Sequence, residues 1–176
     1  IILFQKKIQK KYKETLSNCH LIKVYTELKI ENLEIKNLII KKKQKSNSGV
    51  LVITVLTSAH PEYIDEDGNK QIGKFSCKHD CAYCPNEKGH SENNWTDQPR
   101  SYLFSEPAVL RANDNNFDPI KQMNARLNTL REMGHTLDKL EIIVLGGTWS
   151  EYPERYREDF IKKLYYAANI YLNIYK

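Results

Sequence analysis

Three of the four cysteines lie within eight residues, Cys77-Lys78-His79-Asp80-Cys81-Ala82-Tyr83-Cys84, at the spacing C-x3-C-x2-C. Thiolates this close in one loop can converge on a single metal centre. Disulfides account for them poorly, because three is an odd number and residues 1–20 show no secretory signal. Two metals compete. Zinc wants four ligands and needs a fourth from His79, His90, His60 or the distant Cys19. A [4Fe–4S] cluster is usually held by four cysteines. Held by three, it keeps one iron open to a small chelating molecule, and the amino and carboxylate groups of S-adenosylmethionine suit that role. Tyr83, just before the third cysteine, places an aromatic ring where it could cover a bound adenine. Spacing and position favour iron–sulfur, with zinc as the alternative.

Other side chains bear on the same chemistry. Arg100 and Arg111 flank Tyr102 and could meet phosphate, or else form structural ion pairs with Glu106 or Asp114. Lys41, Lys42, Lys43 and Lys45 form a basic run. Cys19 reads as a free, half-buried thiol rather than a ligand. Trp95 sits in a polar stretch that resembles an insertion; local packing accounts for it more simply than stacking on a base. His135 reads as part of a helix-end turn.

These residues need a frame. Residues 50–56, Val-Leu-Val-Ile-Thr-Val-Leu, are nearly all aliphatic or β-branched, which suits a strand covered on both faces. Residues 57–98 then carry Pro61, Gly68, Gly73, Pro85 and Gly89 together with the clustered cysteines, a long irregular stretch of the functional kind. Asp118-Pro119 opens the clearest helix: Asp118 can cap free backbone amides, and Pro119 fits the first helical position. Ile120, Met123, Leu127, Leu130 and Met133 form its apolar stripe, and Gly134 ends it. Residues 140–145 read as a second strand, closed by Gly146-Gly147. A last helix starts near Pro153 and carries Tyr156, Phe160, Leu164 and Tyr171 on one side. Strand, long loop, helix, strand, helix is a βαβα order, which argues for an α/β fold with a parallel sheet. Ligand sites of such folds collect at the carboxyl ends of the strands, where the cysteine loop follows the first one.

The chain of 176 residues is 40% hydrophobic and 28% charged, which excludes disorder, collagen and a disulfide scaffold. Its net charge of +5 is unevenly spread. Residues 1–45 hold 12 lysines against 4 glutamates, a net of +8, while residues 46–176 hold 15 basic against 18 acidic groups, a net of −3. Two domains follow: a basic, helical N-terminal segment, 1–45, and a core, 46–176. The basic segment would attract a phosphate backbone through counterion release, or it is a solvated helical face. No apolar run is long enough to span a bilayer, so no membrane role and a cytoplasmic location are expected.

The C-x3-C-x2-C loop with an aromatic residue before the last cysteine is similar to the motif of the radical SAM enzymes. Ser48-Gly49-Val50, Cys84-Pro85, Ser101-Tyr102, Glu106-Pro107, Arg111-Ala112, Phe117-Asp118-Pro119, Gly134-His135, Asp138-Lys139 and Gly146-Gly147-Thr148 resemble the catalytic subunit of Elongator. The match covers about residues 46–153. It departs from the family at Lys78-His79 and at Asn86-Glu87.

The resemblance implies an enzyme that carboxymethylates C5 of the tRNA wobble uridine, using acetyl-CoA. Cys77, Cys81 and Cys84 would hold the [4Fe–4S] cluster, and reductive cleavage of S-adenosylmethionine would supply a 5′-deoxyadenosyl radical. Gly146, Gly147 and Thr148 would approach the S-adenosylmethionine amino group, since glycine permits close contact. Their plainer reading is a strand-to-helix turn, with Thr148 and Glu151 as a capping box. The basic segment would bind tRNA, and other Elongator subunits are implied partners. The implied fold is the opening part of a partial (β/α) barrel, and 176 residues have no room for the rest or for an acetyl-CoA-binding domain. The expectation is therefore an N-terminal portion of such an enzyme. The alternatives are a zinc-bound, non-catalytic RNA-binding module and an inactive truncated remnant.

Overall fold

The computed structural model describes residues 2–40, 47–74 and 76–174. The proposed boundary at residue 45 and Lys41, Lys42, Lys43 and Lys45 lie outside the described residues. Two compact units are present, residues 1–52 with 126–141, and residues 53–125 with 142–176.

The first unit contains three short helices, α1 (Ile2–Tyr12), α2 (Asn18–Glu27) and α3 (Leu33–Ile39). The helical N-terminal reading is thus met. Ser17 caps α2: its hydroxyl accepts from His20 N while His20 Nδ1 accepts from Ser17 N. Asn32 caps α3 through Ile35 N at 3.0 Å. Ile22 and Ile39 are the buried residues of α2 and α3, whereas α1 buries none. Gly134, at φ +86°, packs where an added Cβ would meet Ile40 and Ile22 at 3.1 and 3.2 Å. It ends α5 (Pro119–Glu132) as the sequence suggests, and His135 is buried in the helix-end turn.

Strands β1 (Leu51–Leu56) and β4 (Leu140–Leu145) pair with each other. Leu51 N donates to Lys139 O and Thr57 N to Leu145 O, both at 2.9 Å, so the strands run parallel. The α/β class and the parallel pairing stand. Coverage of β1 on both faces does not: Leu51, Ile53 and Val55 are buried, but Val52 is 45% exposed. Thr54 on that face is met by the Arg111 guanidinium instead of an apolar side chain.

The second unit holds two elements the irregular stretch concealed. Strands β2 (Glu62–Ile64) and β3 (Lys70–Ile72) form an antiparallel hairpin with Glu62 opposite Ile72. Its turn is built by Asp65, whose Oδ1 accepts from Asp67 N and Asn69 N, and by Gly68 at φ +82°. Asp67-Gly68 is the local signal for such a turn. Helix α4 (Pro107–Asp114) begins with proline at its first turn and packs Val109 and Ala112 against Leu56 and Phe117. Asp118 caps α5 through Lys121 N at 2.9 Å. Helix α6 (Glu154–Ile174) buries Tyr156, Phe160, Leu164, Ala167 and Tyr171, which includes the whole expected stripe.

Candidate metal and cofactor site

The cysteine loop, the turn after β4 and the segment around Arg100 all belong to the second unit. They meet at the carboxyl ends of β1 and β4. Gly147 is the closest point: a Cβ there would fall 2.5 Å from the backbone oxygen of Ser76, the residue before Cys77. Gly146 adopts φ +148°, and a Cβ on it would collide with Thr57 Oγ1. Both glycines are therefore required by close approach.

Beneath that turn lies a buried tyrosine. The Tyr152 hydroxyl accepts from Gly147 N at 3.1 Å, lies 2.7 Å from Thr57 Oγ1 and donates to Ser58 O at 3.3 Å. Burial pushes the Tyr152 phenol above its ordinary value, although its hydrogen bonds with Thr57 and Gly147 oppose the rise. Tyr156 accepts from Ser58 N at 3.1 Å, and burial raises its phenol as well. Tyr152 was not singled out by the sequence, where Gly-Gly-Thr followed by aromatic residues is the only hint. The short turn Trp149–Glu151 follows Thr148, but Thr148 makes no side-chain cap, so the capping-box reading fails. Thr148 Oγ1 instead faces Cys77 Sγ at 3.5 Å.

The thiols differ in setting. Cys77 and Cys84 are half-buried and Cys81 is exposed. Cys84 N donates to Cys81 O at 3.0 Å, which closes a tight turn, and Cys84 Sγ lies 2.9 Å from Ser101 Oγ. The Tyr83 ring is 88% exposed. The Cys81 thiol bonded to its hydroxyl, with the nearby Cys84, pushes Tyr83 above the ordinary phenol value. Among the described residues no three His, Cys, Asp or Glu side chains are grouped closely enough to hold a metal ion. The chemistry of the donor set nevertheless fits an iron–sulfur cluster: three soft thiols in one loop, beside a turn where a Cβ would strike the loop backbone. Two of the three histidines considered as a fourth zinc ligand have other partners. His60 Nε2 is 3.0 Å from Asp97, and His90 Nε2 is 2.7 Å from Glu87.

Both arginines bond within the chain. Arg100 Nη1 donates to Asp80 Oδ1 at 2.9 Å, with 9% of its side chain exposed. Arg111 Nη2 donates to Thr54 O and Oγ1 at 3.0 and 2.8 Å. Trp95, read as locally packed, is 76% exposed, at φ +57°. Its backbone rather than its ring is what packs, since a Cβ on Gly89 would meet Trp95 C and O at 2.5 Å. Cys19 is half-buried as expected.

The fold and site define an α/β protein with a three-cysteine loop and a glycine turn meeting at the carboxyl ends of two parallel strands. No protein-family model matches the chain. It is 35% identical to Elongator complex protein 3 of Saccharomyces cerevisiae over 126 residues, 71% of this chain and 20% of that protein. The human protein of that name is 33% identical over 126 residues, 71% of this chain and 21% of its own length. A protein named tRNA uridine(34) acetyltransferase, from Methanocaldococcus infernus, is 35% identical over 155 residues, 87% of this chain and 25% of that protein. Over 71–87% of its own length the chain is thus homologous to proteins named Elongator complex protein 3 and tRNA uridine(34) acetyltransferase. It spans a fifth to a quarter of the length of the curated relatives it matches.

Proposed function

We propose that this chain is the cluster- and S-adenosylmethionine-holding part of a radical SAM enzyme that modifies the tRNA wobble uridine. The observation that carries the reading is the approach of Gly147 to the residue preceding Cys77, 2.5 Å from a built Cβ to Ser76 O. Cysteine loop and glycine turn stand side by side, so a cofactor held by one could be met by backbone groups of the other. The name of the Methanocaldococcus infernus relative, tRNA uridine(34) acetyltransferase, supports tRNA uridine as the substrate.

Cys77, Cys81 and Cys84 would hold the cluster, which when bound supplies an open iron for chelation and an electron for S-adenosylmethionine cleavage. The chain's own residues provide position. Gly146 and Gly147 let the turn pack directly against Thr57 and Ser76, which brings it up to the cysteine loop, and Thr148 offers a hydroxyl beside Cys77. Tyr83, exposed, is available to lie over an adenine. The parallel strands would be the opening of a partial (β/α) barrel, with acetyl-CoA handled elsewhere in a full-length enzyme. The basic helices of residues 1–45, with Lys41, Lys42, Lys43 and Lys45, would attract tRNA phosphates, and other Elongator subunits would be partners. A cytoplasmic location fits such a substrate, and no described helix is long and apolar enough to cross a membrane.

The test is anaerobic reconstitution with iron and sulfide, followed by metal analysis and assay of 5′-deoxyadenosine formation with a reductant. Close to four irons per chain are expected for a [4Fe–4S] cluster, and Cys81→Ala should abolish both readouts. Stoichiometric zinc with no iron would overturn the reading.

A further inference from the structure

Residues 100 and 101 touch the cysteine loop beside Cys77 and Cys81 and at Cys84. Arg100 N donates to Ser76 Oγ at 3.0 Å, just before Cys77. Arg100 Nη1 donates to Asp80 Oδ1 at 2.9 Å, just before Cys81. Ser101 N donates to Pro85 O at 3.0 Å, just after Cys84, and Ser101 Oγ lies 2.9 Å from Cys84 Sγ itself. The dipeptide is held unusually. Arg100 is nearly buried, with 9% of its side chain exposed, while its partner Asp80 is 86% exposed. Ser101 sits at φ +76°, a conformation costly for a residue with a Cβ. Strain of that kind persists where surrounding contacts over-determine it, and it clusters at functional sites.

We propose that Arg100 and Ser101 form a positioning bracket that tethers the cysteine loop, so that fewer loop conformations compete with the one in which its three thiols gather on a metal cluster. The proposal rests on the cluster reading above. Without a bracket the eight-residue loop, with Cys81 exposed on it, would sample many thiol arrangements, and gathering ligands from that ensemble opposes binding. The bracket narrows that ensemble from a rigid side. A buried, forked guanidinium keeps its geometry better than a surface lysine could. Asp80 is the outer half of the pair, so its removal frees the loop with little disturbance of the interior.

The test uses the 176-residue chain. Amide hydrogen exchange is followed across residues 77–84 in the metal-free chain, with α6 as internal reference. The half-time of iron loss to a chelator is followed in the reconstituted chain. Asp80→Asn and Arg100→Gln should each speed exchange in the loop, and iron loss, by about tenfold, the order expected for a charge-assisted hydrogen bond. Exchange in α6 should not change, and Arg100→Lys should recover only part of the effect. Because Asp80→Asn and Arg100→Gln alter local charge in opposite directions, a shared direction of effect points to tethering rather than to electrostatics. If Arg100→Gln does not fold, Asp80→Asn decides alone. Unchanged loop exchange in Asp80→Asn, or equal loosening of α6, overturns the bracket. A wild-type chain that takes up no iron overturns the cluster reading instead, and the exchange arm still decides whether the loop is tethered.

Discussion

The Tyr152 hydroxyl lies 2.7 Å from Thr57 Oγ1 and so ties the end of β4 to the end of β1 across 95 residues of sequence. Thr57 Oγ1 in turn donates to Leu145 O at 3.2 Å, and Tyr152 accepts from Gly147 N. One phenol therefore bonds the residue after β1 and the second residue after β4, and with them the floor under the glycine turn.

Tyr152→Phe keeps the ring and strands the groups the hydroxyl served. A loss of about 1–3 kcal/mol is expected, because buried polar groups left unpaired cost their desolvation. Urea unfolding followed by circular dichroism measures it. No loss would mean that Thr57 and Gly147 find other partners.

Gln122, fully buried in α5, grips both backbone groups of one β1 residue: Leu56 N donates to its Oε1 at 3.0 Å and its Nε2 donates to Leu56 O at 2.9 Å. Gln122→Leu adds an apolar side chain of similar size yet should destabilise by about 1–3 kcal/mol, since two buried groups lose partners. The unfolding midpoint in urea is the readout. An unaltered midpoint would contradict it.

Gly147→Ala and Gly68→Ala separate two uses of glycine. At Gly147 the added methyl meets backbone, Ser76 O at 2.5 Å, which cannot rotate away. At Gly68 nothing lies within 4 Å, and only the φ of +82° resists. Gly68→Ala should cost about 1 kcal/mol and leave iron uptake intact. Gly147→Ala should displace the start of the cysteine loop and reduce both iron uptake and S-adenosylmethionine binding, measured by calorimetry on the reconstituted chain. Equal behaviour of the two variants would contradict this.

Acid should weaken the fold through two carboxylates in the loop beside the site. The hydrogen bond from His60 holds Asp97 below its ordinary 3.8, against the opposing effect of burial. Burial works to raise Glu87, but the bonds from His90 and Phe104 N outweigh it and leave the group below its ordinary 4.5. A depressed folded-state pKa adds stability that is complete above the unfolded value and lost as pH falls through the folded one. Stability should therefore decline with falling pH from about 4.5 downward, and Glu87→Gln with Asp97→Asn should flatten that decline. Thermal midpoints from pH 6 to pH 3 are the measurement.

The cysteine spacing, the Asp118-Pro119 start of α5, its end at Gly134 and the apolar face of α6 could all be read from the sequence. Each is a local pattern, set by residues within a turn or two of one another. The hairpin of β2 and β3 escaped because its strands are three residues each, too short for any alternation to register. Helix α4 escaped as well, although Pro107 marked its first turn. What only the tertiary structure decided is which polar side chains hold the site. Asp80 with Arg100, Leu56 with Gln122 and Thr57 with Tyr152 are 20, 66 and 95 residues apart. Hydrophobic periodicity says which face of an element turns inward. It says nothing about the single hydrogen bond a buried arginine, glutamine or tyrosine must find there, because that bond depends on where the chain's other elements end.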